Sequence, residues 1–435
     1  MITKSPGTTF INRKNELKVL SQRQDSRDQL VVVTGRRRVG KSRLLTHWLN
    51  RAGGHYSQAI EGPVSVQIEQ LYLDLKPLFG QLELVPRTWP EFFELLALAL
   101  KAIKHQTVIC IDEVPYLFKV DPSLPSIIQK FVDHKIPKNA LLILSGSGQQ
   151  AMHRYFSENQ APLYGRADWV IKVQPMGYRD FCEYAQLDPT VMENFSLFSL
   201  AGGLPKYWKL ISPFSGAVEA AEELLFSDSS PLEDEPWRVL RDENIEGVSL
   251  QQLLEVIGRG SNRPSEMAGR LGIKQGTLSK SLTLLLDLSL IQREAPFGAD
   301  SKTSKKALYQ IQDPLLKFWF STYSPHRTRW RTYSANEKKE LIRLHASAIF
   351  EREARTLLGR AERYWNSEAE IDGIARTSKT ATKAFEMKFR TLTARENAEC
   401  LSHLRSSVKL TPFSESECQV IGWSEFCSLL AGKQP

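Results

Sequence analysis

Leu30-Val-Val-Val-Thr34-Gly35-Arg36-Arg37-Arg38-Val39-Gly40-Lys41-Ser42-Arg43 is the stretch on which the fold turns. A short apolar, valine-rich run reads as a buried strand, and Leu44, Leu45, Trp48 and Leu49 just beyond it carry the spacing of an amphipathic helix. Between them stands G-x-x-x-x-G-K-S. Glycines there let successive backbone N–H groups curl around phosphate oxygens, and the helix N-terminus adds positive potential. Gly35, Arg36, Arg37, Arg38, Val39, Gly40, Lys41, Ser42 and Arg43 are therefore expected to wrap a nucleoside triphosphate. Lys41 would reach the β- and γ-phosphates, and the Ser42 hydroxyl would hold Mg²⁺.

Working outward, Thr107-Val-Ile-Cys-Ile-Asp112-Glu113 is an apolar run ending in two acids, a buried parallel strand that delivers carboxylates to one sheet edge. Asp112 is expected in the Mg²⁺ coordination shell, and Glu113 is positioned to polarise the attacking water, which makes hydrolysis and not mere binding the expectation. The next strand, Ala140-Leu-Leu-Ile-Leu-Ser145-Gly-Ser147, ends in small polar residues. Ser145 or Ser147 would read the γ-phosphate, and Ser145 is counted with the nucleotide-binding set.

With these segments the sequence resembles the AAA-like and STAND-type P-loop ATPases of archaea and bacteria, in the branch carrying a winged helix and a C-terminal nuclease-like module. The resemblance covers nearly the whole chain. Phe10-Ile-Asn12-Arg13-x-x-Glu16-Leu17 looks like that family's opening motif, with Asn12 where glycine is usual. The resemblance implies ATP as the nucleotide, a homo-oligomer as a possible state, and a place for Arg166 of Leu163-Tyr-Gly-Arg166 near the γ-phosphate, in cis or from a neighbouring subunit. It also gives Pro205 of Gly202-Gly-Leu-Pro205 a role beside the base. Read without the family, Arg166 is equally a surface ion-pair residue and residues 202–205 a helix-terminating turn.

The formal charge of +8 over 435 residues is unevenly placed. Residues 1–235 carry 26 basic and 26 acidic side chains, whereas residues 259–348 carry 16 and 7. That excess suggests a polyanionic partner, expected to be DNA. It coincides with a helical pattern at 249–257, a helix from Pro264 ended by Gly272, and a further helix opening at Lys274, with Leu278, Leu282, Leu285 and Leu286 as its buried stripe. Two helices joined through a tight turn read as a helix-turn-helix, with 290–295 and 307–311 pairing as a wing. Lys274, Thr277, Ser279 and Lys280 would face the groove or backbone, and Lys302, Lys305 and Lys306 would reach phosphates from the wing. Arg327, Arg329 and Arg331 flank Trp330 in a pattern suited to phosphate contact and base stacking. The alternative is a packing module with a polar linker around one tryptophan.

Near the C-terminus, Phe385, Met387 and Phe389 alternate with Glu386 and Lys388, so a strand puts both charges on one face. Asp372 lies on the preceding strand. This constellation is similar to the PD-(D/E)xK nuclease core. The similarity implies that Asp372 and Glu386 hold Mg²⁺ or Mn²⁺, with Lys388 positioning water or stabilising charge, and with Glu351 of a preceding helix as a further acid. Ile371 stands where that core usually has proline.

The expected architecture is an α/β P-loop NTPase with a parallel sheet over 1–175, a helical lid over 176–235, a winged helix-turn-helix over 236–325, and an α/β restriction-endonuclease-like domain over 326–435. Five cysteines without C-x-x-C spacing argue against a disulfide framework or zinc site. With no signal-peptide pattern and no apolar run near about 18 residues, the expectation is a cytoplasmic protein with no membrane partner. The function expected is ATP hydrolysis that gates a metal-dependent nuclease, with defence against foreign DNA as one setting. The rival is a nucleotide-switched DNA- or protein-binding ATPase whose nuclease-like fold is catalytically idle.

Overall fold

β1 (Leu30–Thr34) is buried at four of its five positions, and β3 (Thr107–Asp112) and β4 (Ala140–Gly146) along their whole length. Such runs need cover on both faces, which a parallel sheet clothed by helices provides. With β2 (His55–Gln58) and β5 (Trp169–Lys172) they form a five-stranded parallel sheet in the order β2-β3-β4-β1-β5. The register pairs Val33 with Ser145 and Ile111 with Leu144, so Thr34, Asp112 and Gly146 end side by side. The loop after β1, the acids after β3 and the serines of β4 thus share one edge.

The computed structural model describes residues 10–26, 28–80, 84–242, 248–301, 303–359, 361–378 and 381–432. The chain divides into two compact units, Thr9–Pro175 and Met176–Pro435. In the first, Leu30, Val32, Ile109, Ile111, Leu142 and Leu144 meet the helices Val64–Asp74, Trp89–Ala102 and Leu124–His134 in one apolar cluster. The Trp89–Ala102 helix starts at a capping box in which Thr88 and Glu91 satisfy each other's backbone N–H groups.

In the second unit, Val248–Gly258, Pro264–Leu271 and Leu278–Asp287 are helices, followed by the antiparallel hairpin of β6 (Ile291–Glu294) and β7 (Leu308–Ile311). The turn after Leu271 is closed by Gly272 at φ 66, and one 3₁₀ turn, Gln275–Thr277, precedes the next helix. That helix buries Leu278, Leu282 and Leu285 as expected, but the stripe continues through Leu288, and Leu286 is only half-buried.

A 23-residue helix, Ala335–Leu357, leads to β8 (Glu362–Trp365), β9 (Glu370–Arg376), β10 (Thr382–Met387) and β11 (Glu417–Ile421). The sheet order is β11-β10-β9-β8, with β10 parallel to β11 and antiparallel to β9. The hairpin is fastened to this sheet. Phe297 beyond β6 packs on Phe413, its N–H donates to the Arg363 carbonyl at 2.7 Å, and Trp365 Nε1 donates to the Lys306 carbonyl at 3.1 Å.

Trp330 is not available for base stacking. It is 2% exposed, lies parallel to Phe226 with centroids 3.9 Å apart, and donates from Nε1 to Glu222 at 3.3 Å. A large ring gains more by filling this gap than by standing in water. Among the described residues no helix is long and apolar enough to cross a membrane.

Candidate functional site

The glycine-rich loop is built around a close approach. A Cβ on Gly35, at φ +156, would stand 2.6 Å from the Val173 carbonyl oxygen, so a side chain there collides with backbone. Gly40 caps the helix Lys41–Ala52 in a left-handed conformation, and Arg38 is also left-handed at φ 72. Val39 is fully buried and Arg36 nearly so. Arg37 donates to the Tyr116 hydroxyl, and Arg43 is exposed one residue beyond Ser42. The Lys41 ammonium is buried inside the loop, donating to the Gly35 carbonyl at 2.9 Å and the Arg36 carbonyl at 3.3 Å.

Arg13 holds the loop from outside. Its guanidinium donates to the Val39 and Gln174 carbonyls, each at 2.7 Å, and to Glu16 at 2.9 Å. Asn12 and Arg13 both adopt left-handed backbone, at φ 54 and 64. That explains how asparagine substitutes for the usual glycine, since it tolerates this region better than most side chains.

The Asp112 carboxylate is fully buried, and its bonds among the described residues come from neutral donors. Ser42 Oγ donates to Oδ2 at 2.5 Å, Tyr56 OH to the same oxygen at 2.8 Å, and the Glu113 N–H to Oδ1 at 2.9 Å. A hydroxyl and a carboxylate meeting at this edge are the hard oxygen donors that Mg²⁺ prefers. Glu113 sits in left-handed backbone at φ 56, and its Oε2 accepts the Ser147 N–H and hydroxyl. Ser147 is therefore the serine that reaches Glu113. Ser145, fully buried one strand position from the edge, has a hydroxyl with no partner among the described residues.

Arg166 lies in the same unit but is engaged by Asp133, with Nε 3.2 Å from Oδ1. Pro205 belongs to the other unit, where it opens the helix Pro205–Ile211, and the indole of Trp208 in that helix donates back to the Gly202 carbonyl at 2.6 Å.

The C-terminal residues come together around β9 and β10. Beyond the Gly373–Phe385 pair, Asp372 stands opposite Glu386, and its Oδ2 accepts the Met387 N–H at 2.8 Å. Lys388 Nζ lies 2.6 Å from Glu386 Oε1. Burial, then the neighbouring carboxylates of Glu351 and Glu386, push the Asp372 carboxyl up to about 7, against the pull of the Met387 amide and Lys388. Burial also raises Glu351, opposed by Arg355, Arg363, Lys317 and Lys388. Burial opposes the charge of Lys388, but its bond to Glu386 leaves it raised. Yet among the described residues no three His, Cys, Asp or Glu side chains are grouped to hold a metal ion.

Cations crowd this cluster in a way the sequence did not announce. Arg355 donates to the Asp372 carbonyl at 3.1 Å and lies 3.7 Å from Glu294 of β6, while Arg363 pairs with Glu294 at 3.1 Å and with Glu370. Burial and the nearby Arg352 push Lys317 down to about 8.

Of the expected nucleic-acid contacts, Lys274, Thr277, Ser279, Lys280, Lys305 and Lys306 are exposed on the helical pair and hairpin, and Lys302 lies outside the described residues. Arg327, Arg329 and Arg331 are exposed too, and Arg331 pairs with Asp228 at 2.6 Å.

A parallel sheet with a G-x-x-x-x-G-K-S loop after β1 and acids after the neighbouring β3 is the P-loop NTPase fold. Residues 10–211 match the model of an ATPase domain found predominantly in Archaea. An uncharacterised protein of Methanocaldococcus jannaschii is 26% identical over 428 residues, 94% of each chain. The solved structure of the Walker-type ATPase of Pyrococcus abyssi aligns with a TM-score of 0.55 and 21% identity, over 73% of this chain and 97% of its own. The ORC2 protein of Aeropyrum pernix, in its ADPNP–ADP complexes, aligns at 0.48 with 14% identity, over 79% and 97%.

Proposed function

We propose that this protein hydrolyses ATP in the unit Thr9–Pro175 and engages nucleic acid, expected to be DNA, through the basic segment of the unit Met176–Pro435. The observation that carries the first part is the meeting of Ser42 with Asp112 at 2.5 Å, beside Glu113 and the buried Lys41. Lys41 would transfer its bonds from loop carbonyls to the β- and γ-phosphates, and Glu113 would orient the attacking water. Ser42 and Asp112 would hold Mg²⁺, which supplies charge neutralisation on the phosphates. Arg166 would leave Asp133 to stabilise the transferring phosphoryl group, Ser145 or Ser147 would read the γ-phosphate, and Pro205 would border the base.

Residues 176–235 are read as a helical lid, 236–325 as a winged helix and 326–435 as a PD-(D/E)xK domain, with homo-oligomers as a possible state. Glu351, Asp372 and Glu386 would bind Mg²⁺ or Mn²⁺ and Lys388 would assist phosphodiester cleavage under control of the nucleotide state, defence against foreign DNA being one setting. The meeting of Asp372 with Glu386 and Lys388 supports this reading: burial is the main cause of the raised Asp372 carboxyl, and the carboxylates of Glu351 and Glu386 add to it. A specific observation supports the second reading, an idle scaffold: Glu386 is paired with Lys388, and no three-ligand group is formed among the described residues.

Purified protein incubated with ATP, Mg²⁺ or Mn²⁺, and plasmid or RNA tests both. The nuclease reading expects cleavage lost in Lys388→Ala with ATPase retained. Intact substrate under every metal, with ATPase present, leaves the scaffold. Undiminished hydrolysis in Lys41→Ala removes the ATPase site itself.

A further inference from the structure

Tyr56 belongs to no motif. It is the second residue of the short strand β2, and in the parallel β2–β3 register it lies across from Cys110, with Gln58 across from Asp112. Its hydroxyl nevertheless reaches Asp112 Oδ2 at 2.8 Å, the same oxygen that accepts Ser42 Oγ at 2.5 Å. A buried carboxylate bonded by neutral donors depends on them, and each donor fixes where an oxygen points. The Glu113 N–H fixes Oδ1, which leaves Tyr56 and Ser42 to orient Oδ2. Ser42 serves two partners, because its proton is donated to Oδ2 while its lone pairs are left to face a cation. Tyr56 has no such task.

We propose that Tyr56 is a metal-positioning residue, whose hydroxyl holds the shared Asp112 oxygen in place and so sets the site's affinity for divalent cation without setting its affinity for nucleotide. This rests on the reading of Ser42 and Asp112 as the Mg²⁺ ligands of an ATP site. A hydrogen bond contributing about 1 kcal/mol corresponds to roughly a fivefold change in a binding constant. The loss in Tyr56→Phe is therefore expected to raise the Mg²⁺ midpoint about three- to tenfold.

The test uses the full chain and a fluorescent ATP analogue. Nucleotide binding is measured in EDTA and across a Mg²⁺ titration, for wild type, Tyr56→Phe and Tyr56→Leu, with hydrolysis as a second readout. Binding in EDTA unchanged within twofold in Tyr56→Phe, together with the raised Mg²⁺ midpoint in both readouts, supports the proposal. An unchanged Mg²⁺ midpoint with normal nucleotide binding overturns it while leaving the ATP site standing. Equal losses with and without Mg²⁺ also overturn it, since they assign Tyr56 a packing role, and Tyr56→Leu shows how large such a packing loss is. Absence of nucleotide binding by the wild type overturns the ATP-site reading and this inference with it.

Discussion

Ser147 meets Glu113 twice on one carboxylate oxygen, from its N–H at 3.0 Å and from its hydroxyl at 2.7 Å. The backbone bond persists whatever side chain occupies position 147, so Ser147→Ala is expected to change ATP turnover by less than about tenfold. Glu113→Gln removes the proposed base and is expected to retain ATP binding while slowing turnover by about 10² or more. Single-turnover kinetics with bound nucleotide measures both. Wild-type turnover in Glu113→Gln would remove Glu113 from the chemistry.

The Arg166–Asp133 pair is partly exposed, and such pairs contribute about 0.2–1 kcal/mol. Asp133→Asn is therefore expected to leave the denaturation midpoint nearly unchanged, and to leave turnover intact or raised because the guanidinium is released. Arg166→Ala should lower turnover without weakening ATP binding. Mixing it with Lys41→Ala protein separates a role in trans, which restores hydrolysis, from one in cis, which does not. If Arg166→Ala turns over normally, the residue is only a surface partner of Asp133.

Trp330 and its flanking arginines should behave differently under mutation. Truncating a ring stacked on Phe226 and almost fully buried is expected to cost about 3–5 kcal/mol, read by urea or guanidinium unfolding. Arg327→Ala and Arg329→Ala should leave stability intact, weaken DNA binding across sequences, and each reduce the salt slope by about one. Full stability in Trp330→Ala would contradict the packing seen here.

His345 is buried on the Ala335–Leu357 helix, with Nε2 2.8 Å from the Ser199 carbonyl and the Phe318 ring at its edge. Burial, and to a lesser degree Lys317 and Arg352, hold it down at about 3, against a bond to Ser199 that works the other way. The unfolded chain takes up this proton near pH 6.5, whereas the folded protein refuses it until about 3. Its stabilising contribution is thus complete above about 6.5 and falls progressively toward pH 3. Lowering the pH from 7.5 to 5 should cost about 2 kcal/mol from this group. His345→Gln should flatten that part of the stability–pH curve, and an identical slope in the variant would exclude His345 as the source.

The phosphate-binding edge was legible because its chemistry is local in sequence. A strand, a loop and a helix start occupy fourteen consecutive residues, and each acid or serine sits where an apolar run ends. The residues that complete the edge are not local. Tyr56 reaches Asp112 across a strand pair, and Arg13 grips Val39 and Gln174 from a turn far from both in sequence. Alternation revealed that Glu386 and Lys388 share a face, but not that each is the other's ion partner. Trp330 shows the reverse difficulty: a tryptophan among arginines has the composition of a stacking surface, and only the facing Phe226 shows that it is core.

The tight seat of Gly35 against Val173 gives the glycine-rich loop a built-in reporter. The Val173 N–H is donated to the Thr34 carbonyl at 2.8 Å, immediately before the loop begins, and the next carbonyl, that of Gln174, is held by Arg13. One residue later the chain leaves this unit. The exit peptide is thus tethered to Thr34 directly and to Val39, the loop's fifth residue, through Arg13, and solvent exchange at the Val173 amide should slow or quicken as the loop tightens or loosens.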